Sequence, residues 1–318
     1  MASPSARVLS LGEALIDVVI RPGSTQEHVG GSLLNVAVGI ATLGRPAAIC
    51  AHWGRDEHGE MLRKWAESAG VDIVPGTDSA ARTPVAFAHI DDQGHASYEF
   101  DLSWEVPAEV ELGAFGHLHT GSIGATLEPG GTAVLDIATR MRDCGTVSYD
   151  PNIRPALMNS PEMVMDRVEK LVALSDVVKA SDEDLAWLYP GVPVEDIMRR
   201  WVTMGPEMVV VTRGPWGAYA LLKNNRDMLH LDQMRVEVAD TVGAGDSFMA
   251  GLISALLDAG FLGTPEARQR LSELDWTAVQ PALHRAVVTS ALTVSHSGAY
   301  APSMAEVEEV QRADPTLR

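Results

Sequence analysis

The chain of 318 residues (34.0 kDa) is 46% hydrophobic, which is enough for a single α/β domain over residues 1–318 with a buried core. Its 43 acidic and 24 basic residues give a formal charge of −19, which argues against a nucleic-acid partner because phosphate backbones are bound by basic surfaces. There is no apolar run of membrane-spanning length, no signal segment, and no disulfide or metal spacing of its two cysteines, so we expect no membrane partner and a cytoplasmic location.

Two apolar runs open the chain. Residues 8–11 predict a strand, and after a break at Gly12 and Glu13 residues 14–20 predict another that contains one acid, Asp17. An isolated Asp is more often a solvated strand-end residue. The alternative is that its carboxylate accepts hydrogen bonds from neighbouring hydroxyl groups of a polyol.

A glycine pair then begins a helix. Residues 30–44 start with Gly30-Gly31, and Ser32 is the predicted N-cap. Asn35 lies on the first turn, where its amide could face a ligand bound at the glycine pair. A plain amphipathic helix with an incidental Asn is the alternative interpretation.

Two alternating runs break the rhythm of strands and helices. Residues 83–91 and 95–101 flank an Asp-Gln-Gly turn and predict a β-hairpin. With the run at 14–20 they indicate strands outside the main alternation.

From residue 116 onward short β-rich runs alternate with helical segments. This predicts a parallel sheet with helices on both faces and ligands at the carboxyl ends of its strands. His117 and His119 share one face of a strand, but the sequence shows no third ligand nearby and we reject a metal pair. Residues 150–154, Asp-Pro-Asn-Ile-Arg, directly follow another strand, where Asp and Asn are commonly turn formers.

Two later strand ends carry polar or glycine-rich turns. The acidic run that begins at Ser181 is explained by an N-capped helix with Ser181 as the cap and Asp184 in its first turn. Residues 212–217, Thr-Arg-Gly-Pro-Trp-Gly, close a strand with a Gly-x-x-Gly turn, which by itself indicates little.

Residues 240–251, Asp-Thr-Val-Gly-Ala-Gly-Asp-Ser-Phe-Met-Ala-Gly, lead into a predicted helix over residues 245–257. Such a turn directs several backbone N–H groups and the helix dipole at one place that suits an anion, and Gly243 and Gly245 let the backbone approach it. A carboxylate at Asp246 would repel phosphate there unless it removes the proton from a hydroxyl group attacking phosphorus. The alternative is that Asp246 caps the helix.

This stretch resembles the second signature of the ribokinase-like (PfkB) sugar kinases, and Gly30-Gly31 with Asn35 resembles their sugar-binding first signature. The run at 150–154 is similar to the fructokinase and 2-keto-3-deoxygluconate kinase branch. The resemblance implies a ribokinase-like three-layer α/β/α fold with a mainly parallel sheet and a small β-sheet lid, contributed by about residues 14–30 and 83–105. A lid with an apolar face to cover suggests a homodimer through the lid.

The resemblance also implies roles for single residues. The catalytic group would comprise Asp246 as the base, with Gly243, Ala244 and Gly245 holding the transferred phosphoryl group. The sugar would contact Asp17, Gly31, Asn35, Arg154 and Asp246. The nucleotide ATP would contact Thr212, Gly214, Gly217, Gly243, Gly245 and Gly298.

Two metal ions are implied in the same way. Mg²⁺ would be held indirectly by Asp150, Asn152 and Asp184, the last lying in a Ser-x-x-Asp sequence where relatives carry Asn-x-x-Glu. A monovalent cation such as K⁺ would be ringed by backbone carbonyls around Asp240, Val242, Thr293, His296 and Gly298.

The function implied is transfer of the ATP γ-phosphoryl group to a sugar hydroxyl, with fructose to fructose 6-phosphate as the first expectation. The alternatives are 2-keto-3-deoxygluconate, whose carboxylate needs further cationic contacts, and ribose or adenosine. A non-catalytic sugar-binding regulator is the alternative from another class, although it has no use for Asp246. The missing Gly-x-Gly-x-x-Gly after the first strand and the missing Gly-x-x-x-x-Gly-Lys exclude a Rossmann dehydrogenase and a Walker-type ATPase.

Overall fold

A computed structural model describes residues 6–91, 96–107, 110–314 and 316. The strands are β1 (Val8–Leu11), β2 (Leu15–Arg21), β3 (Ser24–Gly30), β4 (Ala47–Cys50), β5 (Asp72–Ile73), β6 (Val85–Ile90), β7 (Ala96–Asp101), β8 (His117–Gly121), β9 (Thr146–Asp150), β10 (Val177–Ser181), β11 (Met208–Thr212), β12 (Ala218–Leu222) and β13 (Leu229–Leu231). The predicted hairpin turn at 92–94 lies outside the described residues.

The helices are α1 (Ser32–Thr42), α2 (Glu57–Ser68), α3 (Gly130–Met141), α4 (Pro155–Met158), α5 (Pro161–Leu174), α6 (Asp182–Leu188), α7 (Val194–Met204), α8 (Ala244–Asp258), α9 (Pro265–Ser272), α10 (Trp276–Val294) and α11 (Met304–Ala313). None of the described helices is both long enough and apolar enough to cross a membrane.

Nine of the described strands form one sheet in the order β13-β12-β11-β10-β9-β8-β1-β4-β5. Neighbours from β11 to β5 run parallel, and β12 and β13 add an antiparallel edge. Helices α1, α8 and α10 pack on one face, while α3, α5 and α7 pack on the other. The predicted three-layer α/β/α architecture is confirmed. Because β8, β9, β10 and β11 run parallel, their carboxyl ends, which carry polar residues, lie at one edge of the sheet.

The small sheet has the order β3-β2-β6-β7 and contains the strands predicted to lie outside the main alternation. Register places Asp17 beside Ala86 of β6 and beside His28 of β3. Since residues in register share a face, Asp17 lies on the same face of the lid as these two neighbours.

Small residues bring α1, α8 and α10 close together. A Cβ on Gly39 of α1 would lie 2.7 Å from the Cβ of Ala250 in α8, and a Cβ on Gly251 would overlap the hydroxyl of Thr289 in α10. Glycine at these places allows the helices to cross at short distance. As a result, the amino-terminal turns of α1 and α8 face each other, which positions the site described next.

Candidate active site

The glycine-rich turn before α8 leaves its amino terminus open. Gly243 has left-handed backbone angles (φ 75°, ψ 0°), and no side chain caps the helix. A Cβ on Gly243 would lie 2.8 Å from the Cβ of Ala299. The N–H of Ala244 donates to the carbonyl oxygen of Thr241 (3.3 Å), while no side chain competes with an anion for the neighbouring amides of this turn.

Asp246 lies in the first turn of α8 and is 8% exposed. Ser32 Oγ donates a hydrogen bond to Asp246 Oδ1 (2.6 Å), and Asn35 Nδ2 donates one to Asp246 Oδ2 (2.8 Å). Both carboxylate oxygens thus bind side chains of another helix. The alternative interpretation of Asp246 as a helix cap is wrong.

The glycine pair before α1 is required by close packing. Gly31, not Ser32, occupies the N-cap position, with φ 105°, and a Cβ there would lie 2.7 Å from the Cα of Ala14 and from the carbonyl oxygen of Glu13. The prediction of Ser32 as N-cap is wrong because its hydroxyl binds Asp246. Asn35 lies on the first turn of α1, and its side-chain amide binds Asp246, a partner that the sequence did not predict.

Asp17 lies against the glycine pair from the lid side. Its carboxylate lies where a Cβ on Gly30 would overlap it, so the glycine lets this carboxylate lie against the start of α1. The surrounding protein atoms desolvate this accessible carboxylate and raise its pKa, against the attraction of His28 and Arg154. Its position suits an acceptor for sugar hydroxyl groups.

Glu13 was not identified from the sequence. It is 7% exposed, and its carboxylate accepts hydrogen bonds from the backbone N–H groups of Ser32 (3.3 Å) and Gly124 (2.9 Å). Burial raises the pKa of Glu13 to about 7, against these hydrogen bonds and the attraction of Arg154. Glu13 therefore joins the start of α1 to the segment that follows β8; the one sequence signal was an acid directly after a buried strand.

The Asp-Pro-Asn-Ile-Arg loop carries Arg154 toward the sugar side. Asn152 adopts a positive φ of 38°, and Arg154 Nη1 donates to Asn152 Oδ1 (2.8 Å) and to the Ile153 carbonyl oxygen (3.1 Å). The positive charge of Arg154 opposes the rise in the pKa of both Glu13 and Asp17. The guanidinium therefore acts electrostatically on the carboxylates of Glu13 and Asp17.

Asp184 connects this loop to α6. Its carboxylate accepts from the backbone N–H groups of Ile153 (2.7 Å) and Ser181 (2.8 Å), while Ser181 Oγ accepts from the N–H of Asp184 (3.0 Å). The capped-helix interpretation of the acidic run agrees with this capping box. An indirect role of Asp184 at a metal stays a prediction.

Lys179, which the sequence did not single out, lies behind the glycine-rich turn. It is 3% exposed, and its Nζ donates to Asp150 Oδ2 (2.7 Å). Burial alone would lower the pKa of Lys179, but the ion pair with Asp150 and two further acids, Asp184 and Asp246, outweigh burial and raise it. Lys179 is therefore charged.

The second oxygen of Asp150, Oδ1, is buried and has no hydrogen-bond partner. Burial raises the pKa of Asp150 to about 6, although Lys179 opposes this rise. A buried, unpartnered carboxylate oxygen beside an anion-binding turn fits the water shell of a hydrated Mg²⁺. Within the described part of the chain, no three His, Cys, Asp or Glu side chains gather into a metal cluster, so a divalent ion would depend on nucleotide phosphates for most of its ligands.

The predicted nucleotide contacts follow β11. Thr212 ends this strand in register with Ser181 of β10, and Gly214 enters the next turn with φ 50°. A Cβ on Gly217 would overlap the Leu231 carbonyl oxygen, so this glycine is explained by the turn into β12.

The residues predicted to ring a monovalent cation come from two joined segments. Asp240 accepts from the N–H groups of Gly298 (2.9 Å) and Val242 (3.1 Å), which lowers its pKa. Thr293 Oγ1 donates a hydrogen bond to the carbonyl oxygen of Tyr300 (2.9 Å). The ring of His296 stacks on the ring of Tyr300, with 3.9 Å between their centroids.

His117 and His119 are engaged inside the sheet. The His117 ring contacts Thr146 Oγ1 and Ser148 Oγ (both 2.8 Å), and His119 Nδ1 contacts the same Ser148 hydroxyl (3.0 Å). Burial lowers the pKa of both rings to about 3. At neutral pH both rings are therefore neutral, and they act as hydrogen-bonding groups inside the main sheet.

Comparison with known proteins agrees with this geometry. Residues 5–306 match the pfkB family of carbohydrate kinases. The fructokinase of Rhizobium leguminosarum bv. trifolii is 31% identical over 261 residues, which cover 78% of this chain and 79% of that protein. The structure of Xylella fastidiosa fructokinase with bound ATP aligns with a TM-score of 0.84 at 25% identity over 98% of this chain and 100% of that one. A Vibrio cholerae O395 fructokinase double mutant with bound fructose, ADP and potassium ion aligns with a TM-score of 0.79 at 25% identity over 97% and 99% of the two chains.

Proposed function

Because the chain belongs to the pfkB family of carbohydrate kinases, we propose that it transfers the γ-phosphoryl group of ATP to the C6 hydroxyl group of fructose, giving fructose 6-phosphate and ADP. The observation that carries this proposal is the position of Asp246. A carboxylate lies within an uncapped helix terminus that suits phosphate, and it is oriented by hydrogen bonds from the predicted sugar-binding helix.

In the proposed reaction, Asp246 takes the proton of the attacking hydroxyl as the new O–P bond forms and the bond to the ADP oxygen breaks. The backbone amides of Gly243, Ala244 and Gly245 stabilise the charge on the transferred phosphoryl group. Ser32 and Asn35 hold the carboxylate in one orientation, so little reorganisation is needed when the hydroxyl arrives.

The charges around the sugar side favour a neutral sugar. The carboxylates of Asp17 and Asp246 border it, and His28 and Arg154 act on the charge of Asp17. A carboxylate substrate such as 2-keto-3-deoxygluconate would meet like charges there, whereas the hydroxyl groups of fructose can donate to these acceptors. The fructokinases named above support the same choice. Gly31 and Asn35 complete the proposed sugar contacts.

Thr212, Gly214, Gly217, Gly243, Gly245 and Gly298 are the proposed contacts of ATP. Asp150 and Asn152 would hold the waters of a bound Mg²⁺, and Asp184 would support their loop; the ion would supply positive charge that neutralises the nucleotide phosphates. For a monovalent cation we propose the carbonyl groups around Asp240, Val242, Thr293, His296 and Gly298. The V. cholerae fructokinase with bound potassium ion supports this proposal.

We also propose that the whole chain acts as one kinase domain in the cytoplasm and forms a homodimer through the lid. Asp17, Ala86 and Phe100 share one face of the lid by register, and Tyr98, two residues from Phe100 on that face, is 63% exposed. Covering these aromatic rings would bury apolar surface. A monomeric mass in light scattering at assay concentration would contradict the dimer.

The proposed reaction is tested by coupled ADP release with Mg²⁺, ATP and K⁺ against a panel of fructose, tagatose, ribose, adenosine, fructose 6-phosphate and 2-keto-3-deoxygluconate. We expect kcat/KM for fructose to exceed that for the keto-acid by about 10²-fold or more, because the keto-acid brings a buried like charge. The Asp246→Asn variant sets the background of ATP hydrolysis.

Two results would change the proposal. Turnover on the keto-acid alone would keep the mechanism and assign Arg154 to its carboxylate. Silence across the panel with ATP binding intact would favour the non-catalytic regulator.

A further inference from the structure

Lys179 is a buried cation that the reaction described above does not use. It lies in β10 and is 3% exposed, and its ammonium donates to Asp150 Oδ2 at 2.7 Å. A Cβ on Gly245 would lie 3.0 Å from Lys179 Nζ. The ammonium group is therefore directly behind the first turn of α8, the turn whose amides face the transferred phosphoryl group.

The surroundings of Lys179 are acidic. Asp150, Asp184 and Asp246 all act on it electrostatically, and the chain as a whole carries a formal charge of −19. Arg154 acts on the carboxylates of Glu13 and Asp17 on the sugar side. Without Lys179, these carboxylates would repel the negative charge of an incoming triphosphate.

A structural role alone leaves two features unexplained. A buried ion pair is often no more stabilising than apolar residues of the same volume, so stability gives little reason for one here. In addition, residue 245 is a glycine where any Cβ would press on the ammonium group, which keeps the cation close to the phosphate-binding backbone.

We propose that Lys179 is the fixed positive charge of the phosphoryl-transfer site: Asp150 holds it against the back of Gly245, where it attracts the γ-phosphoryl group to the amides of α8. The inference rests on the proposed kinase function. It makes Lys179 a positioning residue that acts on ATP more than on ADP, because only ATP carries the group that reaches this turn.

The test is the Lys179→Met variant, which removes the charge and keeps the length of the side chain. Its matched control is Lys170→Met, which removes an exposed ammonium paired with Asp166 at 2.7 Å on α5. Binding of ADP and of a non-hydrolysable ATP analogue, each with Mg²⁺, is measured by calorimetry. For Lys179→Met we expect the analogue to bind about 10²-fold more weakly and ADP about 3-fold or less, with kcat lowered about 10²-fold and the KM of the sugar unchanged. The control should match the wild type.

An unchanged ratio of the two nucleotide affinities in Lys179→Met would overturn the proposal, since a distorted site weakens both nucleotides alike. If that variant does not fold, Lys179→Ala is assayed with added 1-propylammonium or with 1-propanol, which has a similar shape and no charge. Recovery of turnover with the ammonium alone supports the proposal. Recovery with both compounds, or with neither, contradicts it.

This test is separable from that of the proposed reaction. Suppose that the wild type phosphorylates no sugar of the panel, while Lys179→Met loses the preference for the ATP analogue over ADP. The proposed substrate would then be wrong, and the role of Lys179 would stand. If the wild type phosphorylates fructose and the ratio of nucleotide affinities is unchanged in Lys179→Met, the proposed substrate stands and the role of Lys179 is wrong.

Discussion

Asp246→Asn is expected to lower kcat by about 10³-fold, because the variant loses the group that accepts the proton of the attacking hydroxyl. The fold should persist. The asparagine carbonyl can still accept from Ser32 Oγ, and the Asn35 amide can rotate to present its own carbonyl to the new amide group. Sugar and ATP affinities should therefore change much less than kcat.

The measurement is steady-state ADP release, together with binding of ATP and thermal unfolding of the same preparation. Glu183→Gln is the matched control because it also neutralises an acid in the first turn of a helix, at an exposed position of α6. Turnover of Asp246→Asn within about 10-fold of the wild type would remove Asp246 as the base, since a general base contributes about 10²-fold or more.

Gly243→Ala is expected to lower kcat/KM for ATP by about 10²- to 10³-fold, the usual cost of losing one preorganised donor to the transition state. Gly243 has φ 75°, and the added methyl group would lie 2.8 Å from the Cβ of Ala299. Relief of this overlap must move the turn that directs the first amides of α8. Asp246 itself stays, so the loss would be assigned to the amides.

Gly260→Ala is the control for the strain of a left-handed residue. Gly260 follows the other end of α8 with φ 74°, and a Cβ there would meet only Arg270 Nη2, at 3.9 Å. Both substitutions should cost about 1 kcal/mol of unfolding free energy through backbone strain, measured by urea denaturation. Only Gly243→Ala should lose activity, and equal activity in the two variants would exclude the proposed amide site.

The architecture was largely predictable because alternation and helical periodicity are local properties. The strand predicted at 8–11 is observed with the same bounds, and the two runs predicted to form a hairpin pair as β6 and β7. Boundaries set by longer-range packing were less accurate. The helix predicted within residues 30–44 spans Ser32–Thr42, and α5, α7 and α9 were not identified individually.

The amino-acid order by itself determined the proposed catalytic motif, because Gly243, Gly245 and Asp246 are neighbours whose proposed roles follow from a single turn and helix start. Only the tertiary structure decided what surrounds Asp246. Its partners Ser32 and Asn35 lie more than 200 positions earlier and reach it because Gly39 lets α1 cross close to Ala250 of α8.

Lys179 shows the same limit. In the sequence it is one lysine in an apolar run, and its pairing with Asp150 arises only when β9 and β10 lie side by side. Contacts between distant segments depend on how helices and sheets pack, and the periodicity of each segment carries no information on that packing.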